Sequence, residues 1–173
     1  MTEREKILFL SHCLLNQLVR AGGSFTPGAT GRLLRLLSGY SVFIYQLPCP
    51  EYIFLGERDK KSQDVWESFK GFKEFLSSLA SEVKERTYQI IKDRDLVVIG
   101  IARSPCCSSS KIYRGCDLVE GKGLWILELE KRFKFDIIEF DFKKVDESLQ
   151  KIKQFLDKKV IGFESEGKIK AGT

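Results

Sequence analysis

The chain has 173 residues, 43% of them hydrophobic, enough to bury one core without cysteine staples. Its 29 Lys and Arg against 24 Asp and Glu give +5, but the signs are interspersed, so no basic block marks a dedicated nucleic-acid surface. No run approaches the roughly 20 apolar residues that cross a bilayer, and Met-Thr-Glu-Arg-Glu-Lys precedes only a short apolar stretch, so neither a membrane partner nor a secretory signal is expected.

In chain order, Lys6 to Ser11 (KILFLS) reads as a first strand, short and bounded by turn-like sequence. Ala29 to Leu37 reads as a helix carrying Leu33, Leu34, Leu36 and Leu37, with Gly39 as its stop. Ser41 to Gln46 (SVFIYQ) is a second strand. From about Ser62 to Lys92, the series Val65, Trp66, Phe69, Phe72, Leu76, Leu79 and Val83 recurs at helical spacing, which predicts one amphipathic helix with its aromatic stripe in the core. Leu96 to Ala102 (LVVIGIA) is apolar on both faces, as in a strand covered on both sides. Helices over Leu124 to Phe133 and Val145 to Leu156 flank a fourth strand, Asp136 to Phe140. The alternation predicts a single α/β domain over residues 1–173: a three-layer Rossmann-like fold with right-handed crossovers, a mostly parallel sheet and helices on both faces.

Three of the five cysteines follow these strands. Cys13 follows the first, Cys49 the second and Cys107 the third, and in a parallel sheet the carboxyl ends of the strands share one edge, where ligands bind. An odd number of thiols in a chain of cytoplasmic type points to metal binding or catalysis, not to a disulfide framework. Three thiols at one edge suit a metal or iron–sulfur cluster with one position left for substrate. Prolines on both sides of Cys49, and Pro105 before Cys106, fix the backbone that presents the thiols. The adjacent Cys106 and Cys107 diverge in an extended loop, so one of the two is a spectator. Cys116 is a candidate fourth ligand that closes the site for electron transfer or structural zinc. A thiol redox protein and three inert, buried thiols complete the alternatives.

At these loops Ser11-His12-Cys13-Leu14-Leu15 with Arg20, Cys49-Pro50-Glu51 and Ser104-Pro105-Cys106-Cys107 match the patterns S-x-C-L-L-x-x-x-x-R, C-P-E and S-P-x-C. In this order the chain resembles the DUF523, or 2-thiouracil desulfurase, family as a divergent member. The resemblance implies a [4Fe-4S] cluster held by Cys13, Cys49 and Cys107, with one iron free of protein ligands. It carries Glu51 over as the carboxylate after the second cysteine and Ser104 as the serine that opens the third motif. The chain departs from the family at His12, Asn16 and Ser108, and after Glu51, where elements that line the pocket differ.

The activity so implied is non-redox removal of sulfur from a small thiocarbonyl compound, with a thiolated nucleobase such as 2-thiouracil, free or within RNA, as the leading class. Glu51 is then the general acid or base and Ser104 positions water or substrate. Glu51 alternatively caps a helix or pairs with Arg58. His12, Asn16, Arg20 and Lys111 are candidate substrate contacts. Ser108 to Ser110 are expected to satisfy backbone groups at a helix start. Zinc is the alternative to the cluster, the compartment expected is the cytoplasm, and the sequence carries no statement of oligomeric state.

Overall fold

A computed structural model describes residues 6–56, 59–92 and 94–161. The chain enters the core at once: Lys6–Leu10 (β1) is buried along its whole length. A short helix, His12–Leu15 (α1), and two 3-10 turns lead to Ala29–Leu37 (α2), which buries Leu33 and Leu37 one turn apart. Val42–Gln46 (β2) follows, then Pro50–Leu55 (α3), with Cys49 as its N-cap and Pro50 in the first turn, where a missing amide costs nothing. Gln63–Ser68 (α4) and Phe72–Ile91 (α5) precede Asp95–Ile101 (β3). A hairpin of Lys111–Arg114 (β4) and Asp117–Glu120 (β5) comes next, then Leu124–Glu130 (α6), Asp136–Phe140 (β6) and Val145–Ile161 (α7).

The main sheet has the order β2-β1-β3-β6, and every pair in it is parallel. Side chains alternate across it, as the two-residue period of a strand requires. Ile7, Phe9, Leu96 and Val98 face a layer of α4, α5 and α6, where Trp66, Phe72, Leu76, Trp125 and Leu129 are buried. Leu8, Leu10, Val97 and Ile99 face α1, α2 and α7 through Leu14, Leu33, Ile152 and Leu156. The fold is therefore the mostly parallel α/β sandwich expected, with a helical layer on each face. No helix among the described residues is long and apolar enough to cross a membrane.

The structure corrects the sequence in three places. The helix expected from about Ser62 to Lys92 is two helices: Phe69 leaves helical geometry at ψ 122° and Gly71 takes φ +83°, so α4 ends and α5 restarts. The break lets Trp66, Phe69 and Phe72 pack on one another, with ring centroids 4.9 to 5.4 Å apart where they touch Trp66. The segment from Cys49, expected as a loop at the strand end, forms α3. The Ser108–Ser110 run does not start a helix; it leads into β4 and binds a carboxylate, described below.

Candidate active site at the carboxyl edge of the sheet

The chain runs from β1 outward to β2, then returns to place β3 on the other side of β1. The β1/β3 boundary is thus a switch point, where the two connections leave the sheet in opposite directions and open a crevice beyond the strand ends. Cys13 lies just after β1 and Cys107 just after β3, on the two sides of that crevice, while Cys49 follows the neighbouring β2.

Backbone hydrogen bonds hold all three loops against the sheet. Ser11 donates its amide and its hydroxyl to the Ile99 carbonyl at 3.1 and 2.9 Å, and the Leu47 amide donates to the Leu10 carbonyl at 2.9 Å. After β3 the chain turns through Arg103 and doubles back, so that the Ile101 amide donates to the Cys107 carbonyl at 2.9 Å. Arg103 sits at φ +63°, a region costly for a side chain, and two bonds of 2.6 and 2.8 Å to Asp141 hold it there. The Ser104 hydroxyl oxygen accepts the amides of Cys106 and Cys107 at 3.2 and 2.9 Å.

Two glycines make this return possible. A Cβ at Gly100 would lie 2.4 Å from the Cys107 carbonyl oxygen, and one at Gly123 would lie 2.2 Å from the Cys106 carbonyl group. Both contacts are with backbone, which has no side-chain freedom to move aside. Beyond Cys107, one carboxylate gathers the whole serine run. Glu139 on β6 accepts the amides of Ser109 and Ser110 at 2.6 and 3.0 Å and the hydroxyls of Ser108, Ser109 and Ser110 at 2.7 to 3.1 Å. Burial alone raises the proton affinity of Glu139, yet these bonds outweigh it and hold the carboxyl below its usual range.

The thiols act on one another electrostatically. Cys107 reaches solvent with part of its surface, yet burial pushes its thiol well up; the charges of Cys13, Cys49 and Glu51 push the same way, and a hydrogen bond with Ser11 opposes them. Cys106 is wholly buried, and its thiol is pushed up first by burial, then by Glu51, Cys107 and Cys49; it is also hydrogen-bonded to Glu51. Glu51, at the start of α3, is itself only 7% exposed. Such mutually opposed anions describe a site that favours protons or a metal centre, since a bound cation removes the repulsion.

Among the described residues, no three His, Cys, Asp or Glu side chains come close enough to hold a single ion. A tetrahedral zinc, with Zn–S bonds near 2.3 Å, needs its sulfurs within about 3.8 Å of each other, so the zinc alternative finds no support here. A four-iron cluster spreads its ligands over separate corners and accepts a wider set, so Cys13, Cys49 and Cys107 fit its donor chemistry. Cys116 stands exposed in the β4–β5 turn, beside Gly115, whose amide donates to Asp64 on α4 at 2.8 Å.

Of the candidate substrate contacts, Arg20 feels the charge of Cys13. Burial lowers its guanidinium's proton affinity and the Cys13 charge opposes that. It stacks 3.7 Å over the Phe142 ring and donates to Gln17 and Thr26 at 3.2 and 3.0 Å. His12 is half-buried, and its carbonyl accepts Gln46 Nε2 at 3.1 Å, tying α1 to the end of β2. Asn16 caps the first 3-10 turn through the Leu18 amide at 3.2 Å and lines a 310 Å³ recess with Leu15, Gln17, Leu18, Phe25 and Thr30. Lys111 is exposed on β4 and pairs with Glu120 at 3.6 Å, so the structure does not gather it with the cysteines. Arg58, the other partner considered for Glu51, lies outside the described residues.

Sequence reasoning missed Glu139, the Arg103–Asp141 clamp and the bond between Cys106 and Glu51. The glycines did carry a signal, because a lone glycine within an apolar strand, as at Gly100, marks a close backbone approach.

No family model matches the chain. An uncharacterised protein of Methanocaldococcus jannaschii is 28% identical over 161 residues, which cover 86% of this chain and 97% of that protein. Among solved structures, the [4Fe-4S]-dependent thiouracil desulfidase TudS superposes with a TM-score of 0.54 at 16% identity, covering 87% of this chain and 99% of the other. The chain is therefore similar to that desulfidase in fold over nearly the whole length of both.

Proposed function

We propose that this protein is an iron–sulfur-dependent enzyme of the cytoplasm that removes sulfur hydrolytically from a small thiocarbonyl compound, with a thiolated nucleobase as the substrate class. The observation that carries the reading is the convergence of Cys13, Cys49 and Cys107 with buried Glu51 at the switch point of a fold shared with a [4Fe-4S]-dependent desulfidase. In this reading those three thiolates hold the cluster, which when bound supplies a Lewis-acidic, sulfur-binding position.

The chain's own groups supply the rest. Glu51 takes the proton of the attacking water, held in place by the Cys106 thiol. The water oxygen replaces the sulfur on carbon, sulfide leaves with the protons, and no electrons are gained or lost. Ser104 keeps the Cys106 and Cys107 amides oriented and retains its own hydroxyl proton as a donor. The Arg20 guanidinium offsets negative charge at Cys13, and the recess lined by Asn16 gives a planar ring an apolar place beside α1.

Anaerobic reconstitution with iron and sulfide analysis tests the cluster. About four irons and four sulfides per chain, lost in C13A, C49A and C107A and kept in C116A, support the reading. Sulfide release from 2-thiouracil by the loaded protein, abolished in E51Q with the cluster retained, supports the chemistry. A colourless wild type that binds no iron rejects both.

A further inference from the structure

A second recess, of about 330 Å³, opens at the opposite end of the sheet, where β3 and β6 begin, and its volume falls in the range of small-molecule sites. α5 lines it with Lys84, Tyr88 and Ile91, which the helical repeat sets on one face, and Lys92 follows at the helix end. Leu96 of β3 and Phe133, in the loop before β6, are buried and form its apolar floor. Phe9 meets the Phe133 ring edge-on at 5.6 Å, and Arg132 ties the same loop to α5 by donating to the Ser77 carbonyl and hydroxyl at 2.9 and 2.7 Å.

Charges of both signs are interspersed along the chain, but the fold gathers one sign here. Five Lys or Arg line the recess and no Asp or Glu does. Two of the five have structural duties: Arg132 pairs with Glu128 at 2.8 Å, while Arg94 donates to the Ile90 carbonyl at 2.6 Å and lies 5.1 Å over the Phe43 ring. Lys84, Lys92 and Lys134 enter no ion pair among the described residues. The negative end of the α5 dipole suits Lys92, but its effect fades within the last turn. It does not account for Lys84, about two turns earlier, and Lys134 comes from a different connection.

We propose that this recess binds a nucleoside phosphate, with the base against Tyr88 and Phe133 and a diphosphate among Lys84, Lys92 and Lys134. Tyr88 is 51% exposed and offers a flat ring on which a base can stack. Lysines suit phosphate as point charges that need no fixed fork geometry. A simple anion would leave the apolar floor uncovered, and an apolar ligand would leave three gathered amines without a counter-charge. A nucleotide supplies both halves.

This site is separate from the cysteine crevice. The recess meets β3 at Leu96 and Cys107 follows its other end, so the length of the strand, roughly 20 Å at about 3.3 Å per residue, lies between them. The inference therefore does not depend on the cluster. The same chemistry is offered by a free nucleotide and by the end of an RNA strand.

Isothermal titration of the full chain with ADP, adenosine, pyrophosphate and octaadenylate tests it. ADP should bind about tenfold or more tighter than pyrophosphate or adenosine, since stacking and charge both contribute. Lys84→Ala and Lys134→Ala should each weaken ADP and pyrophosphate roughly tenfold, and K84R and K134R should restore most of the loss, which separates the charge from a folding defect. Tyr88→Ala should weaken ADP and leave pyrophosphate as it is. Lys73→Ala, exposed near the other end of α5, should change nothing. Octaadenylate that binds tighter than ADP and responds to the same variants assigns the site to an RNA strand; weaker binding assigns it to the free nucleotide. No ADP binding at millimolar concentration, ADP no tighter than pyrophosphate, or an affinity unchanged in K84A and K134A overturns the proposal.

Discussion

Glu139 shows how one side chain can organise a loop that bears a candidate ligand. Its carboxylate gathers the segment that directly follows Cys107, using amides and hydroxyls that an anion would otherwise attract. Because its folded proton affinity is depressed, the stability it contributes is fully present above the unfolded value near 4.5 and is lost as pH falls through the lower folded value. Glu139→Gln should therefore destabilise the protein by about 2 kcal/mol at neutral pH, with the difference from wild type closing as the pH drops below that value. Melting temperatures of both proteins from neutral to acid pH check it, and a difference that persists unchanged in acid would show that charge is not the cause. The glycines under the cysteines make a second residue-scale prediction. Gly123→Ala should displace Cys106, which is wholly buried, and its labelling by a thiol reagent should become fast in the folded protein, whereas wild-type Cys106 stays slow. The role of the serine run was not legible beforehand: it signals a helix start, and only the fold brings it a carboxylate from β6.

Among the elements, those with a clean apolar period were readable. The helix from Ala29 to Leu37 stands where its pattern puts it, because the period that identifies it is the one that buries Ala29, Leu33 and Leu37; the strand from Asp136 to Phe140 also stands where expected, although its burial does not alternate. The α4–α5 break escaped because Trp66, Phe69 and Phe72 keep a three-residue spacing that reads as one continuous helical stripe. Gly71 was the available signal, a left-handed residue that starts the second helix with open space around it. Gly71→Ala should accordingly cost about 1–2 kcal/mol from backbone strain alone, measured by urea unfolding, with no loss of α5 helicity. A neutral substitution would mean that α4 and α5 can fuse. The hairpin was similarly marked by its two-residue Gly115-Cys116 loop between short apolar runs, a turn in which Gly115 takes φ +55°. The exposed place of Cys116 follows from that turn.

At the scale of the whole molecule, the parallel order of the strands brings together residues that are far apart in the chain. β1, β2 and β3 each end at one edge, so Cys13, Cys49 and Cys107 come from three separate connections, the first two leading into helices and the third into the β4–β5 hairpin. A group that engages all three would bind only the folded state and should stabilise the entire sheet, by an amount that grows with the ratio of its concentration to its dissociation constant. Anaerobic loading with iron and sulfide is thus expected to raise the melting temperature of the wild type by several degrees, since about 1 kcal/mol moves a domain of this size by roughly 2–4 °C or more. The rise should vanish in C13A, C49A and C107A and survive in C116A, whose thiol lies in an exposed turn. Thermal unfolding with and without loading separates this from a merely structural role of the thiols. If the thiols only fill space, each alanine lowers the melting temperature equally in both states; if they share a centre, the loaded state alone loses its advantage.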